Sequence, residues 1–246
     1  DQPRSRGLGD VYKRQDSGEL PTDENNLIYK AAKLMMETYP ISGGVKIHLE
    51  KHIPIAAGMA GGSTDAAATL KGMNRLFDLG CTLKDLMELG VKIGADVPYC
   101  VMGGTALAEG IGEKLTPLAP APDCYVLVAK PDINVSTKYV YEHLDAQEIV
   151  KHPDIDGMVE AIAEESLQGI LDRMENVLET VTVSAYPIIQ TIKDRMKELG
   201  AINSLMSGSG PTVFGIFVEK DMARRAYDKL EEEQLAKQIF LTEFCE

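Results

Sequence analysis

The 246 residues predict an α+β fold in two domains, on three observations. The length suffices for two separate cores. Stretches of helical and strand period follow one another irregularly, not in the strict alternation of a parallel sheet. Near the middle, "TPLAPAPDC" is rich in proline and reads as a linker. The expected division is residues 1–15 as a non-native segment, 16–121 as an N-terminal domain and 122–246 as a C-terminal domain.

Residues 1–15, "DQPRSRGLGDVYKRQ", have no period of either kind and resemble the translated ends of assembled reads. Order begins near Asp16. "PTDENNLIYKAAKLMMETY" starts with capping residues and then sets Leu27, Ala31, Leu34 and Met35 at helical spacing. "GVKIHLEKHIP" alternates Val45, Ile47 and Leu49 with Lys46, His48 and Glu50, which predicts a strand with one wet face, stopped by Pro54. Two helices follow, "STDAAATLKGMNRLFDL" and "TLKDLMELGVKIG", with Asp65 and Asp85 near their positive ends. After the turn "GADVP" come strand-like "TALAEGIGEKLTPL" and the apolar run "CYVLVAKP", the latter a buried strand. Helical stretches are expected around 139–144, 158–163, 167–171 and 188–199. A last strand pair, "TVFGIFVE" and "QIFLTEF", flanks the helix "DMARRAYDKLEEEQL".

Charge and cysteine usage exclude several functions. A formal charge of -13 repels nucleic acid and anionic membranes. The four cysteines, Cys81, Cys100, Cys124 and Cys245, form no CxxC pair and read as buried thiols in a reducing compartment. No stretch approaches the roughly 20 apolar residues of a membrane span, and no apolar signal core follows the first basic residues. The expected location is the cytoplasm.

The chemistry concentrates in "PIAAGMAGGSTDAAA". Gly58, Gly61 and Gly62 let the backbone approach a ligand and take positive φ, Ala56, Ala57 and Ala60 keep the entrance narrow-walled and open, and Ser63 is expected to cap a helix beginning near Thr64. The first-turn amides and the helix dipole then face one anion, such as a polyphosphate, while a Ser63 or Thr64 hydroxyl touches a phosphate oxygen or a magnesium ion. Taken alone, such a loop is equally well a tight connection. There is no GxxxxGK[ST], and no GxGxxG on a βαβ unit.

The same segment resembles the second motif of the GHMP kinases. "GADVPYCVMGGTALAEGIGEKLTPL" and "SLMSGSGPTVFGIF" follow in that family's order, the latter resembling its third, glycine-bearing motif. "TDENNLIYKAA", "IGADVPYC" and "AKPDINVSTKYVY" are most similar to the branch acting on a cytidine-diphosphate-linked methylerythritol in non-mevalonate isoprenoid precursor biosynthesis. The resemblance covers Leu20 to the C-terminus. It implies a two-domain architecture: an N-terminal domain like ribosomal protein S5 domain 2, lacking its first strands, and a ferredoxin-like C-terminal domain.

It also implies ATP and magnesium as cofactors, a small-molecule alcohol as substrate, and Asp96 as the catalytic base. Without the neighbouring motifs Asp96 reads as a turn or helix-cap carboxylate before Pro98. The implied ATP loop is Pro54, Ile55, Ala56, Ala57, Gly58, Met59, Ala60, Gly61, Gly62, Ser63 and Thr64. Gly208, Ser209 and Gly210 form a second glycine loop, otherwise a tight turn between a helix and a strand. Thr137 and Tyr141 correspond to substrate-pocket positions, the tyrosine to a ring that stacks on cytosine. The family's first motif, with its lysine and its Tyr-His pair, has no counterpart at Lys13 or Tyr12, so the chain is expected to be truncated. Two other readings follow: a GHMP kinase for homoserine or mevalonate, or a nucleotide-binding fragment without activity.

Overall fold

The computed structural model describes residues 24–144 and 152–244. The expectations for residues 1–15 and for Cys245 lie outside them. The chain divides into two compact units: one contains residues up to Ile53 and Ala60–Thr116, the other Pro54–Met59 and everything from Pro117 on.

In the first unit, helix α1 (Leu27–Thr38) begins where the Asn26 side chain accepts a hydrogen bond from the Ile28 amide at 2.9 Å. It buries Ile28, Ala31, Ala32 and Met35; of the four positions its spacing predicted, Ala31 and Met35 are buried, whereas Leu27 and Leu34 are only partly so. Helix α2 (Gly61–Leu76) presents Ala66, Ala67, Leu70 and Met73 to the same core. Helix α3 (Leu83–Val91) starts in a reciprocal Thr82–Asp85 capping box and adds Leu86 and Leu89. Those cap bonds hold the exposed Asp85 carboxyl below the usual carboxylate range. Helix α4 (Val97–Met102) contributes Val97 and Val101. "TALAEGIGEKLTPL" is a hairpin, β1 (Ala106–Glu109) and β2 (Lys114–Pro117), because Gly110 and Gly112 turn the chain at positive φ.

Residues 44–54 do not form the expected strand. Val45 is buried and Lys46, His48 and Glu50 are exposed, as the alternation requires, but only Leu49 makes an isolated bridge. A strand needs a continuous ladder, and among the described residues none runs beside this one.

The second unit is built on an antiparallel sheet of order β4-β5-β3-β6. Strand β3 (Tyr125–Lys130) is its buried centre, pairing Leu127 with Gly215 of β5 (Val213–Phe217) and with Leu241 of β6 (Gln238–Glu243). The expected final strands therefore do not pair with each other; β3 separates them. Helices α5 (Thr137–His143), α6 (Ile155–Ala163), α7 (Leu167–Arg173) and α9 (Ile188–Glu198) occupy the expected stretches, and α10 (Lys220–Glu232) joins β5 to β6. Helix α8 (Glu179–Ala185) and the short edge strand β4 (Asn203–Met206) were not foreseen. Alternate residues of β3 feed two cores. Leu127 and Ala129 join Ile189, Ile192, Met196 and Leu230, whereas Val126 and Val128 meet Leu171, Ile216 and Met59.

Candidate functional site

The glycine-rich segment is shared by the two units, and each part has its own anchors. In the first unit, α2 begins at Gly61, not near Thr64. Ala60 is its N-cap, in the left-handed conformation at φ 49°, and no side chain caps the end. Ser63 therefore does not cap; it is the third residue of the helix. Gly61 and Gly62 adopt helical backbone, and the positive φ values fall on Ala56, Gly58 and Ala60. A left-handed alanine costs roughly 1–2 kcal/mol, a strain typical of ligand-clamping loops. With no capping side chain, the first amides of α2 are left to solvent or a ligand.

Lys51 fixes this helix end from below. Its ammonium, 6% exposed, donates to the Gly61 carbonyl at 2.8 Å and pairs with the Asp65 carboxylate. A Cβ on Gly61 would crowd Ile53 and Lys51, so glycine is needed there for close approach. Asp65 thus answers a lysine rather than the helix dipole alone.

Asp96 lies at the N-cap position of α4, yet its side chain makes no capping bond. Among the described residues its exposed carboxylate has no hydrogen-bond or ion-pair partner. One turn on, Cys100 Sγ lies 3.5 Å from the Thr64 hydroxyl, which also donates to the Ala60 carbonyl. That contact brings the first turn of α4 to the start of α2. Burial raises the Cys100 thiol pKa, and the nearby Asp96 charge adds to the rise.

In the second unit, Pro54–Met59 lies against the loop Ser207–Gly210. The Ser207 hydroxyl donates to the Gly58 carbonyl at 2.8 Å. A Cβ on Gly58 would meet the Ser207 carbonyl well inside van der Waals contact, so close approach and φ 69° both demand glycine. The loop joins β4 to β5, and is a strand-to-strand turn rather than the expected helix-to-strand one. Thr137 Oγ1 and Ser209 Oγ are hydrogen-bonded at 2.9 Å, tying the start of α5 to the same loop. Tyr141, 61% exposed on α5, makes no such tie.

Residues 26–104 match the family model for the GHMP kinases N terminal domain, and residues 158–237 that for the GHMP kinases C terminal domain. A 4-diphosphocytidyl-2-C-methyl-D-erythritol kinase of Lachnoclostridium phytofermentans is 57% identical over 92% of this chain and 78% of its own length.

The chain belongs to the GHMP kinase family.

A second relative of the same name, from Lachnospira eligens, is 56% identical over 95% of the chain and 81% of its own length. Among solved structures, a 4-(cytidine 5'-diphospho)-2C-methyl-D-erythritol kinase superposes with a TM-score of 0.81 at 32% identity, covering 98% of this chain and 84% of that one. A homoserine kinase from Cytophaga hutchinsonii shares the fold, with a TM-score of 0.78 at 23% identity. This GHMP kinase has further side chains at the loops that single-segment reading missed: Lys51, Asn176, Glu179 and Thr182. Their partners lie 10 to 32 positions away in sequence, beyond the reach of any local motif.

Proposed function

We propose that the protein transfers the γ-phosphoryl group of magnesium-ATP to the methylerythritol 2-hydroxyl of 4-diphosphocytidyl-2-C-methyl-D-erythritol, in non-mevalonate isoprenoid precursor biosynthesis. The relatives' identity over most of the chain supports the substrate. The observation that carries the chemistry is the unpartnered Asp96 carboxylate at the head of α4, one turn before the Cys100 contact that joins α4 to the uncapped start of α2.

In this reading Asp96 accepts or orients the proton of the attacking hydroxyl. The hydroxyl oxygen bonds to the γ-phosphorus, the bond from that phosphorus to the β-bridging oxygen breaks, and ADP leaves. Developing negative charge faces the first amides of α2 and the loop Pro54–Thr64. Gly208, Ser209 and Gly210 serve as a second phosphate-facing loop, with Thr137 and Tyr141 toward the substrate. The domain division expected at 121/122 belongs to the same reading.

Among the described residues no group of three or more His, Cys, Asp or Glu side chains is arranged to hold a metal. Magnesium would enter with the nucleotide, held mainly by phosphate oxygens and water, and the Ser63 and Thr64 hydroxyls are suited to add to its coordination. Among the described residues no helix is long and apolar enough to cross a membrane, and the reading assigns the reaction to the cytoplasm.

The test is ATP-dependent phosphorylation of the cytidine substrate, with homoserine and mevalonate as competitors. Asp96→Asn is expected to lower kcat by about 10²- to 10⁴-fold while leaving magnesium-ATP affinity nearly unchanged. Equal loss of nucleotide binding would reassign Asp96 to structure, and transfer to homoserine or mevalonate alone would change the substrate.

A further inference from the structure

The loop Ser207–Gly210 is polarised by groups outside the motif. Its inward carbonyls are taken. Asn176 Nδ2 donates to the Met206 and Gly208 carbonyls, each at 2.8 Å, and its Oδ1 accepts from the Leu178 amide at 3.0 Å, which fixes the amide's orientation. The Thr182 hydroxyl donates to the Ser209 carbonyl at 3.2 Å. Glu179 Oε1 accepts from the Met206 amide at 2.8 Å, and Oε2 pairs with Lys193, whose side chain is 10% exposed. Lys193's own carbonyl receives the Ser204 hydroxyl at 2.9 Å, so the lysine is anchored along β4.

The opposite polarity holds for the amides. Within the loop, the Ser207 and Gly210 amides find the Thr212 and Ser207 carbonyls. Those of Gly208 and Ser209 find no acceptor among the described residues. Carbonyls gripped by side chains, with two consecutive amides left without an acceptor, are the elements of an anion-binding concavity. A carboxylate this close to such a loop would repel phosphate, and the Lys193 ammonium cancels it.

From this geometry we propose that Asn176, Glu179 and Lys193 are positioning residues that hold the second glycine loop in its phosphate-facing shape. Asn176 supplies the grip, Glu179 aligns the Met206 end, and Lys193 neutralises Glu179. All three act through the backbone of the loop or through one another. The inference rests on reading residues 207–210 as a phosphate loop.

Asn176→Asp keeps the size and the bond from Leu178 but removes both donors. It is expected to raise the Kd and KM for magnesium-ATP by about tenfold or more, with the KM for the alcohol within about twofold of the parent. Lys193→Met leaves Glu179 charged and without its cation and should weaken magnesium-ATP binding similarly. Glu179→Gln combined with Lys193→Met should restore it to within about threefold. Calorimetric titration with magnesium-ATP, scaled to the folded fraction from circular dichroism, reads each variant.

Unchanged affinity in Asn176→Asp, or a loss accounted for wholly by unfolded protein, would overturn the proposal. A double variant no better than Lys193→Met would overturn the neutralising role. If the parent binds magnesium-ATP yet phosphorylates no alcohol, the proposed function fails while the binding comparison still decides this inference. If the parent binds no magnesium-ATP, both fail.

Discussion

Thr212, two residues after the second glycine loop, is 1% exposed, and its hydroxyl has no partner among the described residues. An unsatisfied buried hydroxyl costs about 1–3 kcal/mol, and replacing it by a methyl of the same shape removes that cost. Thr212→Val is accordingly expected to stabilise the protein by about 1 kcal/mol in urea unfolding, without altering the denaturant slope. A destabilised variant would mean that the hydroxyl is satisfied after all. Lys130 shows the contrary case: a buried ammonium, 6% exposed, satisfied by the Pro131 and Ile133 carbonyls and by Asn134 Oδ1. These neutral acceptors lie in the connection between β3 and α5, whose helix then starts at Thr137 with the Ser136 side chain as its cap.

At the level of elements, α2 is held at its start by one lysine. Lys51→Met keeps the aliphatic stem but leaves the partly buried Asp65 without its cation, and breaking a pair this enclosed costs about 3 kcal/mol. The expected result is a lower thermal midpoint together with faster amide exchange in the second turn of α2. Intact exchange there would show that the helix end is fixed by other means. Long periodic elements such as α1, α2 and α10 were legible because their apolar faces repeat over three or more turns. Helix α8 was not, because "ETVTVSA" is short and β-branched, a pattern that locally favours a strand. Four residues of β4 carry too little alternation to be read, and residues 44–54 carry it plainly yet lack a ladder. Within the site, Asp96 and the glycines were readable as motifs, whereas Lys51, Asn176 and Glu179 act through partners distant in the chain.

Over the whole molecule, one core lies in the first unit and two in the second, and several surface carboxylates share one electrostatic condition. Asp132 beside Lys237, Asp154 bonded to the Gly157 amide and Arg173, Glu113 bonded to its own and the Ile111 amides, and Glu233 beside Arg195 all have lowered pKa values. A lowered folded-state pKa contributes stability that is full above the unfolded value, near 4, and is lost as pH falls through the folded values. The thermal midpoint is therefore expected to hold above about pH 5 and to fall progressively below pH 4. A midpoint flat down to pH 2 would contradict these assignments. Gly58 and Ser207 are joined although 149 positions separate them, and the six residues Pro54–Met59 belong with a unit whose remainder starts at Pro117. During translation at about 5–20 residues per second, this strip leaves the ribosome roughly 7–30 s before its serine does. Its flanks can condense in that interval while it waits undocked, with Ile55 and Met59 as the apolar side chains that it leaves for a chaperone or a neighbouring nascent chain to seize.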